Sequence, residues 1–425
     1  MKKFTFMNKY VWLIILGLAS ASLAKAQFTV CGTDHYWDQQ VAKNPQLEQE
    51  RIKADAGARA AIYSAAYKTM PTTSELLIPI VFHVISNRNY PVQTTLQDCK
   101  DQIQRLNEDY SERNSDTVNV RPLFQGRIGN AHIRFILATK DPNGNPTTGM
   151  TRDTSILTYN AGDTVKSVVD WDHNFYLNVW VVYNIDSRSL PKGSTIAGYS
   201  VFPWDGVARG KADGIVMDHT WIGYGTDRTL THEIGHFLGL YHTFQGGCTG
   251  GDEIEDTPPV TAASLGKCGT WPQDSSSNTC HNDVPDLPDM LENIMDYSSC
   301  KVMFTKQQVQ RMRYYLTLNR VSLYYYNTVA GIETPTENSS AALSLFPNPT
   351  NESFTLDAAG LAIGKSVHIQ CFDMMGRMQF EELVPVGNDG IISKQMNVAS
   401  LKSGVYKVVL YQDNEMKAVK ALIKQ

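Results

Sequence analysis

The sequence has no block of basic residues. Its 38 lysines and arginines are outnumbered by 43 aspartates and glutamates, and the formal net charge is −5. Because proteins that bind nucleic acid carry clustered positive charge, nucleic-acid binding has no support in this chain. Internal repeats and low-complexity tracts are also absent. With 425 residues, 42% of them hydrophobic, the chain is long enough for two or three globular domains with real cores.

Long hydrophobic runs are equally scarce, and the one present lies at the N-terminus. Residues 1–26 have a basic start, an apolar run from Val11 and a close on Ala24-Lys25-Ala26. This pattern is typical of a secretory signal peptide that is removed after export. The run is too short for a membrane anchor, and no other segment could span a bilayer. We expect cleavage near Ala26 and an exported protein without a stable membrane span.

No Cys-x-x-Cys pair occurs among the seven cysteines, which disfavours a cysteine-rich zinc site. Four of the cysteines lie in one loop-rich segment of about fifty residues: Cys248, Cys268, Cys280 and Cys300. Because disulfides are permitted outside the cell, these four are expected to staple residues 246–300. Four cysteines allow three pairings, and the spacing does not choose among them.

Three of the ten histidines lie in residues 231–243, THEIGHFLGLYHT. On an α-helix, His232 and His236 are one turn apart on the same face and can hold one metal ion. Gly239 is suited to end that helix, since glycine adopts left-handed backbone angles without a steric penalty. The chain would then turn back and bring His242 to the same ion as a third ligand.

Three neutral imidazoles are typical of a catalytic zinc site whose fourth position is open to water. Zinc lowers the pKa of such a water to about 7. Glu233, one residue after the first histidine, is placed to take a proton from that water as a general base. Scattered surface histidines would not explain five specified positions at fixed spacing, so the motif predicts a zinc hydrolase site.

Hydrophobic patterning predicts an α/β (α+β) catalytic region with a twisted sheet. Apolar runs rich in β-branched residues indicate strands at 76–85, 133–139, 177–185 and 213–219. Helical spacing indicates helices at 94–113 and 304–318, and the zinc helix begins near Thr229. Residues 27–75 are polar and helix-friendly and precede the first strong strand, so this segment is interpreted as containing a propeptide.

Beyond the zinc motif the composition changes twice. Residues 250–259, GGDEIEDTPP, form either a calcium-binding loop or a solvated acidic turn, and composition alone slightly favours the turn. Residues 327–344 are polar and contain proline, as linkers do. Residues 345–425 alternate β-forming segments with turn residues, which predicts an all-β, immunoglobulin-like sandwich without a catalytic constellation.

Four separate stretches resemble the metzincin metalloproteases, and among these the pappalysin family with its ulilysin-like enzymes. They are HEIGHFLGLYH from His232, NIMDY from Asn293, the strand IPIVFHVI from Ile78 and CGT from Cys31. The resemblance covers about residues 30–325 and implies a metzincin-like catalytic domain. It also implies a zinc-dependent endopeptidase that is made as a latent zymogen.

The resemblance implies a role for each matching residue. The three histidines match the zinc ligands, and Glu233 matches the general base and acid. Met295 matches the methionine that lies beneath the metal as a hydrophobic floor. Tyr297 matches a tyrosine that hydrogen-bonds the oxyanion of the transition state. Cys31 matches a propeptide cysteine that caps the zinc of the latent form, for which a thiolate is a suitable ligand.

The resemblance also has implications for the segment after the zinc helix. It implies a calcium site at Asp252, Asp256 and Thr257, and it thereby outweighs the slight preference for a solvated turn. It further implies two disulfides, one joining Cys248 to Cys280 and the other joining Cys268 to Cys300.

Cleavage specificity is where the chain departs from the family pattern. Ulilysin-like enzymes that cut before arginine carry an aspartate shortly after the methionine-turn tyrosine, whereas residues 298–300 here are Ser-Ser-Cys. An arginine side chain in the pocket needs a carboxylate partner. The preceding loop offers four candidates: Asp283, Asp286, Asp289 and Glu292. If basic specificity holds, Ala58-Arg59 is a candidate bond for self-cleavage of the propeptide.

Residues 345–425 resemble the C-terminal sorting domain of the type IX secretion system. The resemblance rests on FPNPTNESF, FDMMGR and LKSGVYKVVL. It implies handling by the type IX secretion machinery, passage through the outer membrane, and a protein that is secreted or held at the outer cell surface. A carbohydrate- or protein-binding β-module is the plainer alternative.

The expected organisation has five segments: a signal peptide at 1–26, a propeptide with a cysteine switch at 27–58, a catalytic domain at 59–326, a linker at 327–344 and a sorting domain at 345–425. Protein or peptide substrates are expected to lie extended beside an edge strand, GYSVFPW at 198–204. Two other functions fit the zinc motif. One is a zinc amidase on a non-peptide substrate, and the other is a non-catalytic surface adhesin stabilised by zinc.

Overall fold

The structure is a computed structural model of the chain. It describes residues 29–63, 75–205, 213–225, 228–265, 268, 277–281, 283–320, 323–324, 342–373, 378–412 and 415–424. The expected signal peptide and most of the expected linker lie outside the described residues. Within the described residues, no helix is long and apolar enough to cross a membrane.

The N-terminal part consists of a short strand and two helices. Strand β1 is Thr29–Cys31, helix α1 is Thr33–Lys43 and helix α2 is Gln46–Ile62. Helix α2 runs without a break through the expected propeptide boundary at residues 58/59, and Ala58 is fully buried. The boundary proposed from the sequence therefore cuts a helix, and the Ala58–Arg59 bond is not the exposed, extended chain that a protease needs.

In its described residues, the catalytic region has six further strands and five α-helices. The strands are β2 Leu76–Ser86, β3 Ile133–Leu137, β4 Met150–Thr154, β5 Leu177–Val182, β6 Thr195–Ser200 and β7 Ile215–Asp218. The helices are α3 Leu96–Tyr110, α4 Pro122–Gln125, α5 Thr229–Phe237, α6 Gly247–Gly250 and α7 Lys306–Asn319.

Seven strands form one mixed sheet in the order β1-β6-β7-β5-β2-β3, with β4 also paired to β2. Neighbouring strands are parallel except β6 and β7. Strand β2 is buried from Leu76 to Ile85, which explains its unbroken apolar sequence. Strand β4, with the sequence MTRDT, is polar and half-buried, so hydrophobic patterning did not predict it. The sheet agrees with the mixed α/β class predicted from the sequence.

The expected edge strand at residues 198–204 is displaced in the structure. The observed strand β6 ends at Ser200, and the chain enters a turn that contains Pro203. Proline lacks the N–H that a strand ladder requires, which is a physical reason for the earlier end. The outer edge of β6 is covered by β1, which pairs Cys31 with Gly198.

Helix α5 is held in place by α3 through a buried polar network. The carboxylate of Asp109 accepts a hydrogen bond from Arg228 Nε over 2.9 Å and one from Thr231 Oγ1 over 2.9 Å. Tyr110 donates its hydroxyl to the carbonyl of Thr231. Helix α3 in turn starts at a capping box formed by Thr95 and Asp98, as the threonine at its start suggested. These contacts fix the helix that carries the first two histidines.

Two disulfides staple the long loop after α5. Cys248 is bonded to Cys280, and Cys268 to Cys300. This is the pairing implied by the resemblance. The three remaining cysteines, Cys31, Cys99 and Cys371, form no disulfide.

The C-terminal region is all-β and has a core of its own. Its strands are β8 Ala342–Phe346, β9 Ser353–Ala359, β10 Ser366–Asp373, β11 Met378–Pro385, β12 Ile391–Asn397, β13 Gly404–Gln412 and β14 Glu415–Lys424. They form two antiparallel sheets, β11-β10-β13-β14 and β12-β9-β8. Buried side chains such as Leu356, Ile369 and Leu422 fill one cluster. Strand β8 begins at Ala342, inside the expected linker.

Candidate metal centre

Helix α5 ends where the sequence required a glycine. Gly239 has a φ of +91°, and its N–H bonds the carbonyl of His236 over 2.8 Å. A Cβ atom at this position would lie 2.2 Å from the ring of Tyr315. Both the left-handed backbone and the packing therefore exclude other residues. The turn that follows carries His242 back to the helix.

The three histidines meet at one point. Their Nε2 atoms form a triangle in which His232, His236 and His242 are 3.2 Å from one another. Three nitrogens bound to one tetrahedral zinc, with bonds of about 2.0–2.1 Å, are about 3.3 Å apart. The donor set and the spacing therefore fit zinc.

Each Nδ1 atom has an acceptor, which fixes the tautomer of each ring. His232 donates to the carbonyl of Ile294 over 2.7 Å, and His236 donates to the carbonyl of Leu240 over 2.8 Å. The Nδ1 atom of His242 donates to a carboxylate oxygen of Asp34 over 2.8 Å. With every Nδ1 protonated, the Nε2 lone pairs point to the common centre, as metal ligation requires.

The electrostatics keep the imidazoles of His232 and His236 neutral. Burial, and then repulsion from the neighbouring histidines, lowers the pKa of His232 well below its usual value. Burial followed by the same repulsion lowers the pKa of His236 to about 3. Neutral imidazole is the form that binds a metal, so these two ligands do not have to lose a proton near neutral pH.

Cys31 completes the cluster. Its Sγ and the imidazole nitrogens of the triad all lie within 4.8 Å of one another, and this is the one such group of metal-binding side chains among the described residues. Strand β1 delivers the thiol, because its pairing with β6 is continued by a bond from Gly32 N–H to the carbonyl of Gly198 over 2.8 Å. A Cβ at Gly32 would lie 2.8 Å from Ile196, so glycine lets the two chains approach. Three nitrogens and one sulfur form a suitable tetrahedral donor set.

Glu233 lies beside the triad and is fully buried. One of its carboxylate oxygens accepts a hydrogen bond from Thr33 Oγ1 over 2.9 Å. Burial raises the pKa of Glu233 to about 7. The backbone of Gly198 passes so close that a Cβ there would lie 3.0 Å from the Glu233 side chain. The carboxylate is therefore confined between the edge strand and the N-terminal segment.

The turn around Met295 lies under the helix. Its Sδ atom would be 2.5 Å from a Cβ built at Gly235, so the glycine between the first two histidines makes room for the methionine. Tyr297 follows two residues later, and its hydroxyl lies 3.1 Å from His242 Nε2. The structure thus brings all the residues predicted at the zinc site together: the triad, Glu233, Met295, Tyr297 and Cys31.

The predicted calcium residues are only partly grouped. Thr257 donates its hydroxyl to one oxygen of Asp252 over 2.7 Å, and the other oxygen of Asp252 is buried without a hydrogen-bond partner. Asp256 instead faces the start of α7, where it accepts bonds from Thr305 Oγ1 and from the N–H of Gln307. It acts there as an anion at a helix N-terminus.

The four carboxylates considered for an arginine pocket are engaged elsewhere. Glu292 is buried in an ion pair with Arg121 at 2.6 Å, and Asp289 bonds the N–H of Thr279. Asp286 contacts Asn278 and His281, and Asp283 accepts from Leu287 N–H. None of them is among the described residues that line the cavity beside the triad, and a basic specificity stays a prediction.

Sequence reasoning missed several residues at the site. Thr33 and Asp34 follow Cys31 after one glycine, and the string CGTD was the available signal. Lys301, which lines the cavity beside the triad, follows Cys300 with no pattern to mark it. Gly198 and Gly235 are single glycines whose role depends on tertiary approach and therefore carries no local signal.

Two known families match the chain. Residues 146–317 match the M43 peptidase family, described as pregnancy-associated plasma protein-A, and residues 344–425 match the secretion system C-terminal sorting domain. An extracellular metalloprotease of Verticillium alfalfae is 30% identical over 258 residues, which cover 57% of this chain and 76% of that protein. The chain belongs to the pappalysin family of metalloproteases. This pappalysin is therefore a zinc-dependent hydrolase, as predicted.

Solved structures agree with the family. Mature mirolysin of Tannerella forsythia, in complex with a cleaved peptide, is 34% identical to this pappalysin, and the match covers 60% of this chain and 98% of that chain with a TM-score of 0.51. A mutant of Tannerella forsythia promirolysin is 32% identical, with 68% and 95% covered and a TM-score of 0.57. The sorting tail and the extracellular relatives make this pappalysin a secreted or cell-surface protein, which confirms the predicted localisation.

Proposed function

We propose that this pappalysin is a secreted endopeptidase made as a latent zymogen, and that it hydrolyses peptide bonds at the histidine triad once the N-terminal segment has been displaced. The observation that carries the proposal is the cluster of Cys31 with His232, His236 and His242 next to the buried carboxylate of Glu233. A catalytic zinc site needs three protein ligands and a fourth position that can open. Here the fourth position faces a residue from a segment that can be removed.

The chemistry divides between the metal and the side chains around it. Zinc at the triad would supply a Lewis acid and a water of lowered pKa. Glu233 takes the proton from the attacking water and passes it to the leaving amine. Tyr297 donates its hydroxyl to the oxygen that becomes negative in the transition state. Ile294 and Leu240 hold two of the imidazoles through their carbonyls and keep the geometry fixed.

The substrate would bind as an extended strand along β6. This strand is the second in the sheet, and β1, which pairs with it, is the outermost strand. An exposed strand edge gives a peptide main-chain hydrogen bonds without regard to its sequence, which suits an endopeptidase. Strand β1 occupies this edge in the latent form, so the same edge becomes available only after β1 leaves.

Three contacts of the N-terminal segment support latency. Cys31 faces the triad, and Thr33 donates its hydroxyl to the carboxylate of Glu233 over 2.9 Å. The carboxylate of Asp34 accepts a hydrogen bond from Nδ1 of His242. Together, these residues block the metal position and the base at the same time.

Helix α2 anchors the latent segment away from the metal. Asp55 accepts a hydrogen bond from Tyr241 Oη over 2.8 Å and forms a buried ion pair with Arg311 on α7. Arg311 also donates to the carbonyl of Gly239 over 2.7 Å. Helix α2 thus contacts Tyr241 directly and reaches Gly239 through Arg311.

We place the maturation cut between α2 and β2, in residues 64–74, which lie outside the described residues. The propeptide would then extend past the 58/59 boundary, and the catalytic domain would start near residue 75. The linker would end before Ala342, where β8 begins. The two antiparallel sheets of the tail support an immunoglobulin-like sandwich that the type IX machinery recognises during export.

Calcium at the loop after α5 is a further part of the proposal. A buried carboxylate oxygen of Asp252 without a protein partner supports it, and Thr257 lies beside that carboxylate. Asp256 contributes only if it also keeps its contacts with α7. Calcium prefers such oxygen ligands, and binding would relieve the cost of burying the charge.

The test of function is the Glu233→Ala variant. Full-length protein with zinc, processed until casein hydrolysis is maximal, should cleave casein and stop when a chelator is added. The variant should keep one zinc per chain and lose cleavage, while Glu75→Ala at an exposed position should cleave normally. Cleavage that persists in Glu233→Ala would refute the mechanism. Hydrolysis of non-peptide amides alone would indicate an amidase, and no hydrolysis after processing would indicate an adhesin.

A further inference from the structure

Helix α2 inserts one carboxylate into a site that is built by the catalytic region. Asp55 is buried, with 6% of its surface exposed. One of its oxygens accepts a hydrogen bond from Tyr241 Oη over 2.8 Å, and the other pairs with the guanidinium of Arg311. Arg51, which bonds Asp55 over 3.0 Å, lies on α2 itself and would leave with it. The catalytic region therefore supplies a hydroxyl and a cation to a site that already holds one carboxylate.

The cation of this site is held in place by the catalytic region alone. Arg311 is fully buried, and its Nε donates to the carbonyl of Gly239 over 2.7 Å. The carbon of its guanidinium lies 5.1 Å from the ring centre of Tyr241 and 5.3 Å from that of Tyr315. Its Nη1 atom has no hydrogen-bond partner among the described residues. Removal of Asp55 would leave this positioned cation without the carboxylate that neutralises it, which favours binding of another.

An aromatic groove lies beside the cation, and the N-terminal segment covers it. The groove is formed by Phe202, Trp204, Tyr241 and Tyr315, which belong to one buried cluster. Trp37 of α1 packs edge-on against Phe202 and Trp204, with ring centroids 6.0 and 6.4 Å apart. Removal of the N-terminal segment would uncover these rings. Exposed apolar surfaces of this kind typically mark a binding site.

The aromatic groove continues the path that a substrate along β6 would follow. Phe202 is two residues beyond the end of β6, and its ring centroid is 5.5 Å from that of His236. The ring of Trp204 stacks on Phe202 at 4.6 Å, and the guanidinium carbon of Arg311 lies 6.0 Å from the ring centre of Trp204. A substrate that extends past the metal along these rings would therefore arrive at Arg311.

We propose that processing turns the place of Asp55 into an exosite of the mature enzyme. Arg311 and Tyr241 bind a carboxylate of a protein substrate there, and apolar side chains next to that carboxylate fill the aromatic groove. The inference rests on the proposed peptidase function and on removal of the N-terminal segment, and it adds a determinant of substrate choice outside the zinc site. Charge-assisted hydrogen bonds from fixed donors favour aspartate over asparagine by about tenfold.

The first experiment measures binding to processed Glu233→Ala protein, which is expected to keep zinc and not to cut the probe. Unaltered enzyme performs the processing and is then removed together with the propeptide. The probe is a labelled peptide with the sequence of residues 46–62, which carries Asp55 beside apolar side chains. Fluorescence anisotropy should show saturable binding that is about tenfold weaker for the peptide with Asp55→Asn. Equal affinities would overturn the proposal.

A pair of enzyme variants separates the exosite from a purely structural role. Tyr241→Phe removes the hydroxyl and keeps the ring, so it should narrow the difference in affinity between the two peptides. Tyr224→Phe is the matched control, because Tyr224 is 51% exposed and its hydroxyl contacts Glu108 instead. The control should keep the difference. Equal weakening of both peptides by Tyr241→Phe would mean that the hydroxyl only supports the fold, which contradicts the assignment.

A further measurement uses the unaltered enzyme with zinc and therefore does not depend on the folding of a variant. Substrate peptides share one cut site and carry Leu-Asp, Leu-Asn or Leu-Lys, placed at each distance from the cut in turn. At one distance the KM should be lowest for Leu-Asp and highest for Leu-Lys. Equal KM values at every distance would overturn the exosite and leave the peptidase function intact. Cleavage that persists in Glu233→Ala would instead refute that function.

Discussion

A carboxylate oxygen of Asp34 accepts a hydrogen bond from Nδ1 of His242 over 2.8 Å. Asp34 belongs to the N-terminal segment, and His242 is the third imidazole of the triad. A carboxylate on the outer nitrogen of a ligating imidazole fixes its orientation and makes it a stronger donor. The N-terminal segment therefore places Cys31 beside the triad and also holds the outer nitrogen of His242.

Replacing Asp34 by alanine should loosen zinc in the precursor. The loss of such a partner typically weakens metal binding by about 10–100-fold, so a chelator should remove zinc from the variant correspondingly faster. The measurement is the rate of zinc release from full-length protein, followed with a coloured chelator. Asp38→Ala on the exposed side of the same helix is the control and should release zinc at the rate of the unaltered protein. Equal rates for Asp34→Ala would show that the contact does not support the metal site.

Replacing Asp55 by alanine should destabilise the precursor strongly. The guanidinium of Arg311 is fully buried and would lose its ion-pair partner. Removing one member of a buried pair typically costs about 3–5 kcal/mol, whereas an exposed pair contributes at most about 1 kcal/mol. Urea denaturation of full-length protein measures the difference. Glu48→Ala, which removes the partly exposed partner of Arg51, is the control and should change stability little. Similar losses in the two variants would argue against the anchor.

Local patterns in the sequence predicted the elements that local physics determines. The unbroken apolar run of β2, the capped start of α3 and the left-handed turn at Gly239 follow from burial, hydrogen bonding and backbone sterics within a few residues. The triad followed from helical spacing together with that turn. The resemblance supplied the roles of Cys31 and Tyr297.

Other parts of the site depend on contacts between distant segments. Asp34 meets His242 across 208 positions, and Asp55 meets Arg311 across 256. No periodicity connects such pairs, so the sequence could not place them. Helix α2 likewise packs on α7, for example through Asp55 and Arg311, and the sequence around Ala58 carries no sign of that contact.

Gly239→Ala should abolish the metal site. The substitution imposes a positive φ on a residue with a Cβ, and it also places that Cβ 2.2 Å from Tyr315. Gly144→Ala is a control that separates the two effects, because Gly144 has a φ of +85° but open space around it. We expect the control to lose about 1–2 kcal/mol of stability and keep its zinc. The Gly239 variant should bind less than one zinc per chain, and full occupancy would contradict the packing argument.

The free energy of unfolding should decrease as the pH rises, because Asp252 titrates. Burial raises the pKa of this carboxyl to about 7 in the folded protein, against an ordinary value of 3.8. Between these values the folded state holds a proton that the unfolded state has lost, so the free energy of unfolding decreases as the pH rises from about 4 to about 7. Asp252→Asn should flatten this decrease, as measured by the melting temperature across that range.

Calcium bound at the same carboxylate should raise the stability of the folded protein. If calcium binds at Asp252, its addition at pH 8 should raise the melting temperature of the unaltered protein and leave Asp252→Asn unchanged. Magnesium, which prefers smaller octahedral sites, is the control. An equal rise in both proteins would place the calcium elsewhere.

The most direct test of the account is X-ray absorption at the zinc edge, recorded on the full-length precursor and again after processing. The precursor should show three nitrogen ligands at about 2.0 Å and one sulfur at about 2.3 Å, and the sulfur should disappear when casein cleavage begins. Precursor carrying Cys31→Ala should lack the sulfur from the start. A sulfur ligand that persists in the active enzyme, or a precursor zinc without sulfur, would contradict the proposal that Cys31 holds the catalytic metal in the latent state.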